Sequence, residues 1–156
     1  MSYSVSPIGG LRSNDRRGLA FLECTYDAGI NAKTVFEKLQ EKTKRDLRTR
    51  FDHWMDGNHH DRYFHGWPSD PRYKECFVFK WRKGKVHHRL YGFLIHPTPL
   101  KNPRFQVCVL VSHGTKTEEY TDLTELDGAK YLRSVEEVIQ AVKRAFPEVT
   151  EGRSGA

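Results

Sequence analysis

Apolar residues, with Thr43 among them, recur at three- and four-residue steps early in the chain: Ala32, Val35, Phe36, Leu39, Thr43, Leu47, Phe51, Trp54 and Met55. That spacing lines one face of a helix. It predicts a long helix over residues 31–56, with Asn31 at its N-cap and Gly57 just past its end. The outward face of this helix carries Lys42, Lys44, Arg45, Arg48 and Arg50. Ahead of it, Gly18 to Thr25 (GLAFLECT) is a short apolar run that predicts a strand. Beyond it the period falls to two, and three more strands are predicted over 75–82 (ECFVFKWR), 85–96 (KVHHRLYGFLIH) and 105–113 (FQVCVLVSH). Residues 1–17 read as a loose arm, 58–72 as irregular, 97–103 as a Pro-rich link and 117–133 as acidic and mixed. Ser134 with Glu137 forms a capping box before Val135, Val138, Ile139, Val142 and Phe146, which predicts a short final helix. From Pro147 onward the tail reads as disordered. The expected fold is α+β: one domain over residues 18–146, its sheet of three to five strands antiparallel or mixed and packed on the long N-terminal helix.

The two strands around Lys83-Gly84 form a predicted hairpin. With Lys83-Gly84 as a two-residue loop, Arg82 faces Lys85, Trp81 faces Val86, Lys80 faces His87 and Val78 faces Arg89. Alternation then puts Phe77, Phe79, Trp81, Val86, Leu90 and Leu94 on one side, for the helix to cover. The other side carries Lys80, Arg82, Lys85, His87, Arg89 and Tyr91, with Cys76 and Val78 nearer its floor. Four permanent cations within about 10 Å repel one another, so folding alone does not account for them. The expectation is an open basic face with a function. His88 falls on the apolar side and is expected to pack rather than react.

Charge sharpens this picture. The net charge is +6 and its distribution is uneven: residues 33–116 carry 18 Lys/Arg against 8 Asp/Glu, whereas residues 117–151 carry 4 against 9. A middle block of that sign attracts polyanions. No apolar run approaches the roughly 20 residues that span a bilayer, and the first ten residues lack the pattern of a secretory signal. Cys24, Cys76 and Cys108 form an odd set without CxxC spacing. Reduced thiols in a cytoplasmic chain are the expectation, with no membrane partner.

The stretches "YKECFVFKWRKGKVHHRLYGFLIH" and "FQVCVLVSHGTKTEE" resemble the RelE/HigB toxin superfamily, which includes phage Gp49-like proteins. Its recurring elements are a strand of L-x-E-L-R type, a hairpin turn with Gly, a strand of x-Y-R-x-x-Y type and an apolar strand ending in H-G-F-x-K-K-T. Glu75 to Arg82, His88 to Tyr91 and His113 to Thr117 occupy the first, third and last of these places. The resemblance spans roughly residues 18–133 but is carried by 75–95 and 105–117. The chain departs from it in its N-terminal arm, its Pro-rich insertion and its acidic C-terminal extension. The resemblance implies a metal-independent endoribonuclease without a cofactor, acting on RNA free or on the ribosome and neutralised by an antitoxin protein.

Metal-free RNA cleavage needs a base for the 2′-OH, cations for the phosphorane and an acid for the 5′ oxygen. Arg89 and Lys80 are the candidates for phosphorane charge, and Tyr91 or His87 for proton transfer. His113 and Lys116 enter through the family match, His113 as catalytic and Lys116 on the nucleic acid. Arg82 and Lys85, and on the helix Lys44 and Arg48, are candidate phosphate contacts. Three other readings stay open: a non-catalytic RNA- or DNA-binding protein of phage or mobile-element origin, a gyrase-binding poison, and a metal nuclease built on His59, His60, Asp61 and His65. The last has no regular ligand spacing.

Overall fold

The computed structural model describes residues 2–11, 15–116 and 123–147. One mixed six-stranded sheet organises them, comprising β1 (Tyr3–Pro7), β2 (Arg17–Cys24), β3 (Phe64–Gly66), β4 (Cys76–Lys83), β5 (Val86–Ile95) and β6 (Gln106–Lys116). The spatial order is β1-β2-β6-β5-β4-β3, with β2 parallel to β6 and the other pairs antiparallel. The sheet thus exceeds the expected three to five strands. The two additional strands come from segments read as irregular: β1 from the supposed loose arm and β3 from the His-rich stretch.

The helices are α1 (Ala32–Glu37), α2 (Glu41–Met55), α3 (Leu123–Ser134) and α4 (Glu136–Ala145). The single helix expected over 31–56 is broken, because Gln40 adopts an extended conformation ahead of α2. The break leaves the stripe intact: Ala32 and Phe36 of α1 and Leu47, Phe51, Trp54 and Met55 of α2 share one core with Leu19, Phe21, Phe77, Phe79, Trp81 and Leu90. Gly57 ends α2 as expected, with φ of 92° and its N–H donating to the Trp54 carbonyl.

The opposite sheet face is covered as well, which corrects the expectation of an open basic surface. α3 lays Leu126 and Ala129 on Cys76, Val78 and Tyr91. Val138 and Val142 of α4, with Leu132 of α3, cover Phe93, Val107 and Val109. The molecule is a three-layer α/β/α stack. α3 escaped the sequence reading because its buried stripe is only Leu126, Ala129 and Leu132, set among acidic residues. Val135, not Ser134, is the N-cap of α4, and the Ser134 hydroxyl donates to the Tyr131 carbonyl instead. Most of the tail from Pro147 and the acidic residues 117–122 lie outside the described residues. No helix among those described is long and apolar enough to cross a membrane.

Candidate functional site

The hairpin turns at Gly84-Lys85, so Lys83 pairs with Val86, Arg82 with His87, Trp81 with His88 and Lys80 with Arg89. This register differs from the expected one by two residues along β5. Gly84 has φ of 61° and Lys85 keeps an ordinary negative φ. A two-residue turn that places the glycine first confines the left-handed conformation to glycine. With Lys83-Gly84 as the loop, a lysine would have to take that position or a neighbouring one. A shift of two preserves alternation. Phe77, Phe79 and Trp81 therefore do face the helices, while Lys80, Arg82, His87 and Arg89 share the other side.

β6 breaks its own alternation. Tyr91 pairs with Ser112 but Gly92 pairs with Leu110, which leaves Val111 as a bulge. Such a residue reverses the facing of everything after it. Val107, Val109 and Val111 lie under α3 and α4, and Ser112 donates to a Glu125 carboxylate on the same side. His113 therefore points to the α1/α2 side. There its Nε2 lies 3.0 Å from Nδ1 of His88, and both rings stack in a group with Trp81. Burial lowers the pKa of both histidines, helped by Lys83 at His88 and by His88 at His113. His113 thus sits across the sheet from Arg89, apart from the residues with which it was grouped.

Tyr91 is also displaced from its expected role, being fully buried with Tyr73, Cys76 and Leu126. Gly114 gives its ring room, since a Cβ there would lie 2.9 Å from Tyr91 Cε2. Lys116 pairs with His87 and is buried. Lys85 is exposed in the turn. Lys44 donates to the Glu37 carbonyl and Arg48 to the Gly9 carbonyl, and both stand over the Phe36 ring. Those two helix cations brace α1 and the N-terminal strand rather than joining the others.

What the structure does gather is a cleft of about 660 Å³ bordered by Lys80, Arg82, His87 and Arg89, together with Arg50, Arg62, Tyr63 and His65. β3 is only three residues long, so β4 runs past it, and Tyr63 follows the open edge with its carbonyl accepting from the Lys80 N–H. Arg50 reaches from α2 to donate to the Lys80 carbonyl at 2.7 Å. Its guanidinium lies 4.0 Å from the centroid of the Tyr63 ring. None of the described residues that border it is acidic. Arg89 is only 8% exposed, forms no ion pair among the described residues, and buries its Nε without a hydrogen-bond partner.

His65 completes the site. Its Nδ1 lies 2.9 Å from the Gly66 carbonyl. A carbonyl only accepts, so Nδ1 carries the hydrogen and Nε2 the lone pair in the neutral ring. Burial lowers its pKa, and Lys80 and Arg89 push in the same direction. Arg50, Arg62 and His65 were not singled out for this cleft in the sequence because the edge of β4 collects them from two separate segments, α2 and the stretch that runs into β3. Among the described residues no group of three or more His, Cys, Asp or Glu side chains is placed to hold a metal. The His59, His60, Asp61 and His65 set forms no such group. Burial raises the thiols of Cys76, to about 11, and of Cys108, so neither is a nucleophile near neutral pH. No known protein family, curated protein or solved structure matches this chain.

Proposed function

We propose that this protein binds the RNA backbone in the cleft around Arg89 and cleaves it by attack of the 2′-OH, as a toxin-like endoribonuclease. The observation that carries the reading is Arg89: a residue more than nine-tenths buried, in a cleft bordered, among the described residues, by further cations and by no carboxylate. An uncompensated buried charge costs the fold several kcal/mol, and a phosphate in the cleft would compensate it with paired, charge-assisted hydrogen bonds. Arg89 and Lys80 would take up the charge that develops on the phosphorane. Arg50, Arg62 and Arg82 would hold the flanking phosphates. Neutral His65, with Nε2 unprotonated, suits removal of the 2′ proton, and His87 would return a proton to the 5′ oxygen. Dependence on the 2′-OH would restrict the reaction to RNA. The resemblance to RelE/HigB toxins adds the expectation of an antitoxin whose acidic groups cover these cations.

The test is cleavage of end-labelled single-stranded RNA in the presence of a chelator, alongside a DNA of the same sequence. The reading expects RNA to be cut to 2′,3′-cyclic phosphate ends and DNA to stay intact. Arg89→Ala should slow cleavage by about a hundredfold, the scale of one lost transition-state charge contact. A non-catalytic RNA-binding role shares the same cleft and would show binding without cleavage.

A further inference from the structure

A second groove, of about 570 Å³, adjoins the cationic cleft and shares Lys80 and His65 with it. It has two further cations on its border, Arg17 and Lys74, but adds a chemistry that the cleft lacks. Trp54, Phe77, Leu94 and Trp67 supply apolar and aromatic surface, and Asn58 and Asp61 stand among the bordering residues. Its volume lies in the range of small-ligand sites, as does its blend of aromatic surface with a few polar groups. Trp67 is half-buried, with its ring 4.9 Å from the His65 ring. The indole therefore stands beside the same imidazole that borders the cleft.

From this continuity we infer that the groove takes the unpaired base of the nucleotide whose phosphate lies against Lys80 and Arg89. The inference rests on the reading of the cleft as a phosphate site. A nucleotide joins an anionic group to a flat apolar ring through one sugar, and the two adjoining surfaces have those characters in that order. A base in a duplex is stacked and paired and cannot enter such a groove, whereas a base in a single strand can be splayed out onto aromatic side chains. The groove therefore makes single-stranded RNA the substrate class. Asp61 can only accept while ionised, which suits a base edge carrying an amino group.

Fluorescence anisotropy with three labelled RNAs tests this: a mixed-sequence single-stranded decamer, the same decamer in a duplex, and a decamer of ribose phosphate without bases. Wild type should bind the single strand about tenfold more tightly than either of the others, in line with the usual worth of one base–aromatic stack. Trp67→Ala should bind the base-bearing and base-free single strands alike. Asn58→Trp, which fills the groove from an exposed position, should do the same, and keeps the test decisive if Trp67→Ala fails to fold. Equal wild-type affinity for the base-bearing and base-free strands would overturn the base groove while leaving the phosphate cleft standing. Failure to bind any of the three would overturn both.

Discussion

Arg89 is 8% exposed and no carboxylate is among the described residues that border its cleft; a buried cation so placed weakens the fold that carries it. Arg89→Met keeps much of the length and removes the charge. Its melting temperature should therefore equal or exceed that of wild type while RNA affinity falls; a large loss of stability would mean that Arg89 is a structural residue. His65 makes a second prediction at this scale. Its pKa lies below the ordinary 6.5 because of burial and the neighbouring Lys80 and Arg89. If neutral His65 is the base, the acid limb of a kcat/KM profile should lie below pH 6.5. In Lys80→Gln that limb should move upward, since one of the opposing charges is gone. A limb that stays in place would assign the proton transfer to another group. Lys80, Arg82, His87 and Arg89 were legible as neighbours from alternation alone. Tyr91 and His113 were not placed correctly, because α3 and a bulge decide their surroundings and neither leaves a strong mark on the local pattern.

Among the elements, the bulge at Val111 does most to separate the two sheet faces. It needs Gly92: a Cβ there would lie 2.2 Å from the Val109 carbonyl oxygen, and backbone cannot retreat as a flexible side chain does. Gly92→Ala should therefore destabilise the protein well beyond the ordinary surface range of about 0.5 kcal/mol, measured by denaturant unfolding. An unchanged midpoint would contradict the packing of β5 on β6. α2 offers the complementary case. Leu47 is fully buried, and Leu47→Ala should cost about 2–5 kcal/mol. The apolar face of α2, its end at Gly57 and the hairpin's division of faces were all readable, since each follows from residues close in sequence. The break at Gln40, the two-residue offset of the hairpin and the presence of α3 were not. The offset depends on which turn residue takes the positive φ, here Gly84, and α3 on how one element meets another across the sheet.

At the scale of the molecule, three histidines have pKa values below their ordinary range: His65, His88 and His113, each chiefly through burial. As pH falls through about 6.5, the unfolded chain takes up protons that these folded imidazoles resist. Stability that is complete above 6.5 is then lost progressively toward the lower folded values. The melting temperature should fall between pH 7.5 and 5.5, and His88→Gln with His113→Gln should flatten that fall. The sign of the middle block's charge was plain from the sequence, but its concentration at one edge of β4 required the fold. The central claim is that this edge holds an RNA phosphate against Arg89. The most direct measurement is the salt dependence of single-stranded RNA affinity in wild type and Arg89→Met. The account predicts weaker binding in the variant, with the slope of log affinity against log salt reduced by about 0.7 for one lost phosphate contact. A folded Arg89→Met protein with the affinity and slope of wild type would contradict it.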